Sequence, residues 1–121
     1  ELVNGVIRPV GSTHFRLAAD FYHELMMGED PIEIVEECHD VIGLVHVAGF
    51  ADEEPGIRNE LNHPQQKADF AEIMAKLAEY FEPGELYCLI EYLATMTASP
   101  YTVDGMLQKA IDTCESGIKR S

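Results

Sequence analysis

The residues best suited to chemistry in this chain fall between positions 12 and 50. Glu36, His39, Gly43 and His46 recur at steps of three, four and three residues, which on a helix places them along a single strip. Glu36-x-x-His39 is the spacing that lets a carboxylate and an imidazole share one metal ion on a helix. Asp20-x-x-His23 repeats it one element earlier, and Gly43 leaves room between the two histidines for a ligand or a neighbouring helix. A carboxylate-bridged dimetal bundle needs two further glutamates, for which Glu79 and Glu91 are available.

A second pattern overlaps the first. Thr13-His14-Phe15-Arg16-Leu17-Ala18, followed 25 residues after His14 by His39-Asp40-Val41-Ile42-Gly43, resembles the opening of the HD phosphohydrolase family. That resemblance implies a helical domain in which His14, His39 and Asp40 hold a divalent metal, completed by Asp104 or Asp112. The metal would activate water against a phosphate ester or nucleotide. Glu36 and Glu37 stand where that family carries apolar residues, and no Lys follows Gly43. Glu37-x-x-Asp40 is similar to the E-x-x-D half of the magnesium ligands in MazG-type nucleotide pyrophosphatases. The E-x-x-E half has no counterpart, since the preceding segment offers Asp20-x-x-x-Glu24.

Other site chemistry is missing from the sequence. There is no glycine-rich phosphate loop and no Gly-x-Ser-x-Gly nucleophile turn. Cys38, Cys88 and Cys114 are far apart and odd in number, with no Cys-x-x-Cys pair, as expected for reduced core thiols in a cytoplasmic protein. No apolar run approaches the ~20 residues that span a bilayer, and Glu1 and Arg8 interrupt the N-terminal stretch in a way unlike a secretion signal.

Charge is the strongest bulk property. Eight Lys and Arg face 22 Asp and Glu, a net charge of −14 in 121 residues. Between Arg16 and Arg58 there is no Lys or Arg and there are eleven acids. Such a field repels nucleic acid and anionic membrane and attracts basic surfaces and cations.

The elements that must position these groups read as helical. Length and a composition of 46% hydrophobic and 25% charged residues suit one acidic helical domain over 1–121. Residues 1–11, with Val3, Val6, Ile7 and Val10 around Gly and Pro, read as a short extended arm, and its uncovered apolar side chains predict a homodimer. Amphipathic periodicity predicts helices over 13–27, 30–50, 64–81, 85–97 and from a Thr102 cap to a stop at Gly117. Residues 51–62 read as a loop. The expected fold is therefore all-α, a compact bundle or orthogonal array of about five helices. Strand-like stretches at Val3–Val10 and Val45–Phe50 leave a small α+β alternative.

On this reading the leading function is non-enzymatic. An acidic face made of Glu29, Asp30, Glu33, Glu36, Glu37 and Asp40 binds, and inhibits, a partner with a basic protein surface. Anti-defence, immunity and nucleic-acid-mimic proteins work in this way, with no cofactor. The alternative is a metal-dependent phosphohydrolase or pyrophosphatase that holds a divalent metal on His14, His39 and Asp40.

Overall fold

Val41, Ile42, Val45 and Val47 crowd β-branched side chains into seven residues. Such side chains lose χ1 freedom in a helix and pack well on a pleated surface. In the computed structural model, which describes residues 1–52, 61, 65–91 and 103–119, the last three lie in a strand, β2 (Ile42–Val47), and Val41 immediately precedes it. It is the centre of a three-stranded parallel sheet between β1 (Leu17–Asp20) and β3 (Tyr87–Ile90). The order β1-β2-β3 follows the sequence. Parallel neighbours require a crossover, and helices provide it. The helices α2 (Phe21–Met26) and α3 (Pro31–Cys38) lie between β1 and β2, and α4 (Phe70–Tyr80) precedes β3. After β3 comes α5 (Val103–Ile118).

The architecture is mixed α/β, and the all-α expectation is corrected. The segments 13–27 and 30–50, expected as single helices, each divide into a strand and a helix: β1 with α2, and α3 with β2. The segment expected as helix over 85–97 carries β3 at its start. Its second half, the Thr102 cap, the start at Pro64 and most of the 51–62 loop lie outside the described residues. The extended N-terminal arm is also corrected. Val3–Ile7 is a π-helical stretch that runs into α1 (Arg8–Val10) and stops at Gly11, whose φ of 62° suits glycine. Arg8 fixes it: its guanidinium reaches Asp40 Oδ1 at 2.8 Å, Asn4 Oδ1 at 2.6 Å and the carbonyl of Glu37 at 2.8 Å. A cation at the carbonyl end of α3 is favoured by the helix dipole.

Local caps follow the chemistry of their residues. Asp30 accepts from the Ile32 N–H, with Pro31 in the first turn of α3, where a missing donor costs nothing. Asp20 accepts from the His23 N–H at the start of α2, and Asp69 from Ala71 and Glu72 at the start of α4. Gly28, at φ 81°, ends the α2 segment. The core lies between the sheet and the helices, with Phe21, Val35, Ile42, Val45, Val47, Leu61, Phe70 and Ile73 fully buried. No helix among the described residues is long and apolar enough to cross a membrane.

Helix α5 meets α4 along small residues. Ala110 is buried and Cys114 half-buried, whereas the larger Leu107 and Ile111 are exposed. Gly117 is inside the helix instead of ending it, because its bare Cα lies against the Ala71 carbonyl, where an added Cβ would overlap the oxygen. Gly117→Ala should therefore push α5 away from α4 and destabilise the fold by about 1–3 kcal/mol, as overpacking does. Urea denaturation checks this, since an unchanged midpoint would show that the two helices do not approach as described.

Candidate metal centre

The ladder brings three distant residues together. β1 and β2 pair Leu17 with Ile42, then Ala18 with Leu44, Ala19 with Val45 and Asp20 with His46. β1 advances one residue while β2 advances two, so Gly43 is an inserted bulge residue. A regular ladder that counted Gly43 as paired with Ala18 would set Asp20 opposite Val45, which is buried against the helices. With the insertion Asp20 stands opposite His46, on the other face. β2 and β3 pair His46 with Leu89, and the Glu91 N–H donates to the Val47 carbonyl at 2.9 Å, extending the ladder one step. Alternation then puts Glu91 on the face that carries Leu89 and His46.

Asp20, His46 and Glu91 each offer a ligand atom, and these atoms lie within 4.8 Å of one another. His46 Nδ1 is 3.4 Å from Glu91 Oε2. Asp20 has two tasks, since Oδ1 caps α2 while Oδ2 lies 3.7 Å from His23 Nε2. The three side chains are half-buried at the carboxyl ends of parallel strands, which is where ligands of α/β proteins gather. One imidazole nitrogen and two carboxylates, without thiolate, form a donor set for a divalent first-row ion, and three protein ligands leave positions for water and substrate.

The residues singled out from sequence spacing are placed differently. His39 stacks on Tyr80 with ring centroids 3.9 Å apart, and Asp40 is bound by Arg8. His14 is exposed, and its backbone N–H donates to the Ser12 hydroxyl oxygen. No group of three ligand atoms among the described residues includes His14, His39 or Asp40. Asp112 is exposed and accepts from Gln108, and the side chain of Asp104 lies outside the described residues. All six acids expected to face a partner, Glu29, Asp30, Glu33, Glu36, Glu37 and Asp40, are exposed; Asp30 also caps α3, Glu36 pairs with Lys76 at 3.1 Å and Asp40 pairs with Arg8. Glu29 and Asp30 also border a cleft of about 430 Å³ with Lys67, Asp69 and Glu72. Gly43 leaves no open space, because the Arg16 stem fills it.

Comparison of the chain with protein-family models, curated proteins and solved structures returns no match.

Glu24, one turn along α2 from Asp20, is the acid that the environment perturbs most clearly. Burial pushes its carboxyl up to about 7, with the charges of Glu29 and Asp20 adding to the shift. Its Oε2 has no hydrogen-bond partner among the described residues. In the unfolded chain this carboxyl ionises near 4.5, so between 4.5 and about 7 the native state keeps a proton that the unfolded state has lost. Its contribution to stability is thus complete below 4.5 and is lost as pH rises to about 7. Glu24→Gln should flatten the pH dependence over that window. At pH ~7.5 it should stabilise by roughly 1–2 kcal/mol, a figure reduced for the partial exposure of the group. Parallel stability-against-pH curves for the two proteins would contradict this.

Proposed function

We propose that this chain is a divalent-cation-binding α/β domain. The ion, held by Asp20, His46 and Glu91, acts as a Lewis acid on an oxygen function of a small substrate. One observation carries the reading: three donors of the right types, from three consecutive strands, converge within 4.8 Å at the carboxyl end of the sheet. This is the divalent metal of the alternative sequence reading, on a different ligand set from His14, His39 and Asp40. Two further features support it. His23, beside Asp20, offers an imidazole that can accept or return a proton near bound substrate. The excess of 22 acids over 8 bases raises the local concentration of cations at the surface.

Titration of the purified, chelator-treated chain with Mn²⁺, Co²⁺ and Zn²⁺ tests the assignment. The expected result is about one ion per chain, with Co²⁺ giving the visible absorption of a site with nitrogen and oxygen donors. His46→Ala and Glu91→Gln should each weaken binding by more than the roughly 10–100-fold seen for residues that only support a ligand. Asp20→Asn should weaken binding while keeping the helix cap, because Asn also caps well. Circular dichroism confirms that each variant is folded. Binding that survives both His46→Ala and Glu91→Gln removes the proposal. Binding lost instead in His39→Ala or Asp40→Asn moves the site to the HD-like ligands.

A further inference from the structure

Arg8 and Arg16 are the only Lys or Arg residues before position 58, in a chain with 22 acids. Both border one cavity of about 260 Å³, together with Ser12, Phe15, Asp40 and Val41. Arg16 immediately precedes β1 and Val41 immediately precedes β2, so this cavity lies at the amino end of the sheet. The Asp20, His46 and Glu91 cluster is at the other end. The two arginines differ in what they meet. Arg8 binds the Asp40 carboxylate through two nitrogens, Nε at 3.3 Å and Nη2 at 2.8 Å, and the pair is neutral. Arg16 donates from Nε and Nη2 to the carbonyls of Asp40 and Ile42, which orient its guanidinium without cancelling the charge. Among the described residues it has no carboxylate partner, and its Nη1 has no acceptor. The cavity wall therefore carries one uncompensated positive charge in a strongly acidic protein.

We propose that this cavity is a binding site for a small organic monocarboxylate with an aromatic or apolar body. Charge selects the head group. One uncompensated guanidinium balances one negative charge, whereas a dianion such as a phosphate ester brings a second into a field that already repels it. Hydrogen bonding agrees, because a carboxylate has two oxygens and the wall has two kinds of donor. Arg16 Nη1 offers charged N–H groups, and Ser12, which accepts from the His14 N–H at 3.1 Å, keeps its own O–H to donate. Apolar surface selects the body. The exposed Phe15 ring stands at the wall with Ile7 and Val41, and a flat ring or short hydrocarbon covers them. The cavity is smaller than a drug-sized pocket, which suits a compact ligand. The carbonyl bonds of Arg16 hold the guanidinium before a ligand arrives, so little side-chain freedom is lost on binding.

Calorimetric titration of the purified, chelator-treated chain with benzoate tests the assignment, with acetate, benzamide and phenyl phosphate as comparisons. Benzoate should bind at about one site per chain, and more weakly as salt rises. Acetate lacks the ring and benzamide lacks the charge, so each should bind less tightly than benzoate. Arg16→Gln should weaken benzoate by roughly 10–100-fold, the loss expected for a hydrogen bond to a charged group. Arg16 also packs over Gly43, so circular dichroism checks the fold of that variant. Phe15→Ala, at an exposed position, gives a second reading and should weaken benzoate by roughly 3–10-fold. Lys67→Gln, in the cleft beside α4, should leave binding unchanged. The proposal is overturned by an absence of saturable benzoate binding, or by equal binding in Phe15→Ala and the unsubstituted chain. Full binding in a folded Arg16→Gln, loss in Lys67→Gln, or phenyl phosphate binding more tightly than benzoate overturns it as well. Because metal is removed beforehand, the outcome is independent of whether the Asp20, His46 and Glu91 site binds an ion.

Discussion

Side chains on neighbouring parallel strands converge only where the register sets them opposite one another on the same face, and a slip of one residue sends every side chain to the other side. In this chain a single inserted residue, Gly43, decides that register. It lets Ile42 pair with Leu17 on the helix side and still brings His46 opposite Asp20 on the other. The insertion is held in place by the residue that precedes β1. Arg16 lays its stem where a Cβ of residue 43 would be, and its guanidinium donates to the carbonyls of Asp40 at 3.0 Å and Ile42 at 3.2 Å. The irregular stretch that lets Ile42 and His46 face opposite sides thus involves Gly43 and Arg16, neither of which is among the three donor residues.

Much of the punctuation of this fold was legible in the sequence, and its layer structure was not. Asp30-Pro31 announces the start of α3, Gly28 the end of α2, and Pro83-Gly84 the break after α4, because caps and turns depend on the local backbone alone. Leu17-Ala-Ala-Asp20 and Tyr87-Cys-Leu-Ile90 contain residues that serve equally well in helices, and a short apolar run does not distinguish a buried strand from a buried helix. Only the valines of β2 carried a strand signal, visible as the Val45–Phe50 stretch of the α+β alternative. Even there, helical spacing from Ile34 through Val45 masked the end of α3 at Cys38. The pairing of β2 with strands far away in sequence is what settles its conformation, and that is a tertiary property.

The same distinction explains the site. Asp20, His46 and Glu91 each stood out as a metal-ligand type, but helical spacing assigned them to the wrong companions. Glu36 and His39, aligned with His46 on an imagined helix, belong to α3 and its end, where Glu36 meets Lys76 and His39 stacks on Tyr80. Ligands supplied by separate strands have sequence separations set by the crossover lengths, so no motif of fixed spacing reveals them. The signal that could have located them is a carboxylate or imidazole at the end of each strand-like run: Asp20 closes Leu-Ala-Ala-Asp, His46 lies near the end of Leu-Val-His-Val, and Glu91 follows Cys-Leu-Ile. Reading those ends requires that the strands be recognised first.

Charge also acquires a local meaning at this end of the sheet. A divalent ion held there through two carboxylates and an imidazole nitrogen would have its charge balanced by its own ligands. A metal neutralised in this way depresses the pKa of bound water less than one held by three imidazoles, which keeps its full double charge. Held by Asp20, His46 and Glu91, such an ion would be better suited to orient and polarise a hydroxyl or carbonyl oxygen than to generate hydroxide near neutral pH. The 3.4 Å contact between His46 and Glu91 and the capping bond of Asp20 hold the donors close to their positions before an ion arrives, so little ordering is left to oppose binding. The bulge that sets the register, the cap that starts α2 and the hydrogen bond that extends β3 to Glu91 thus act on the same few side chains.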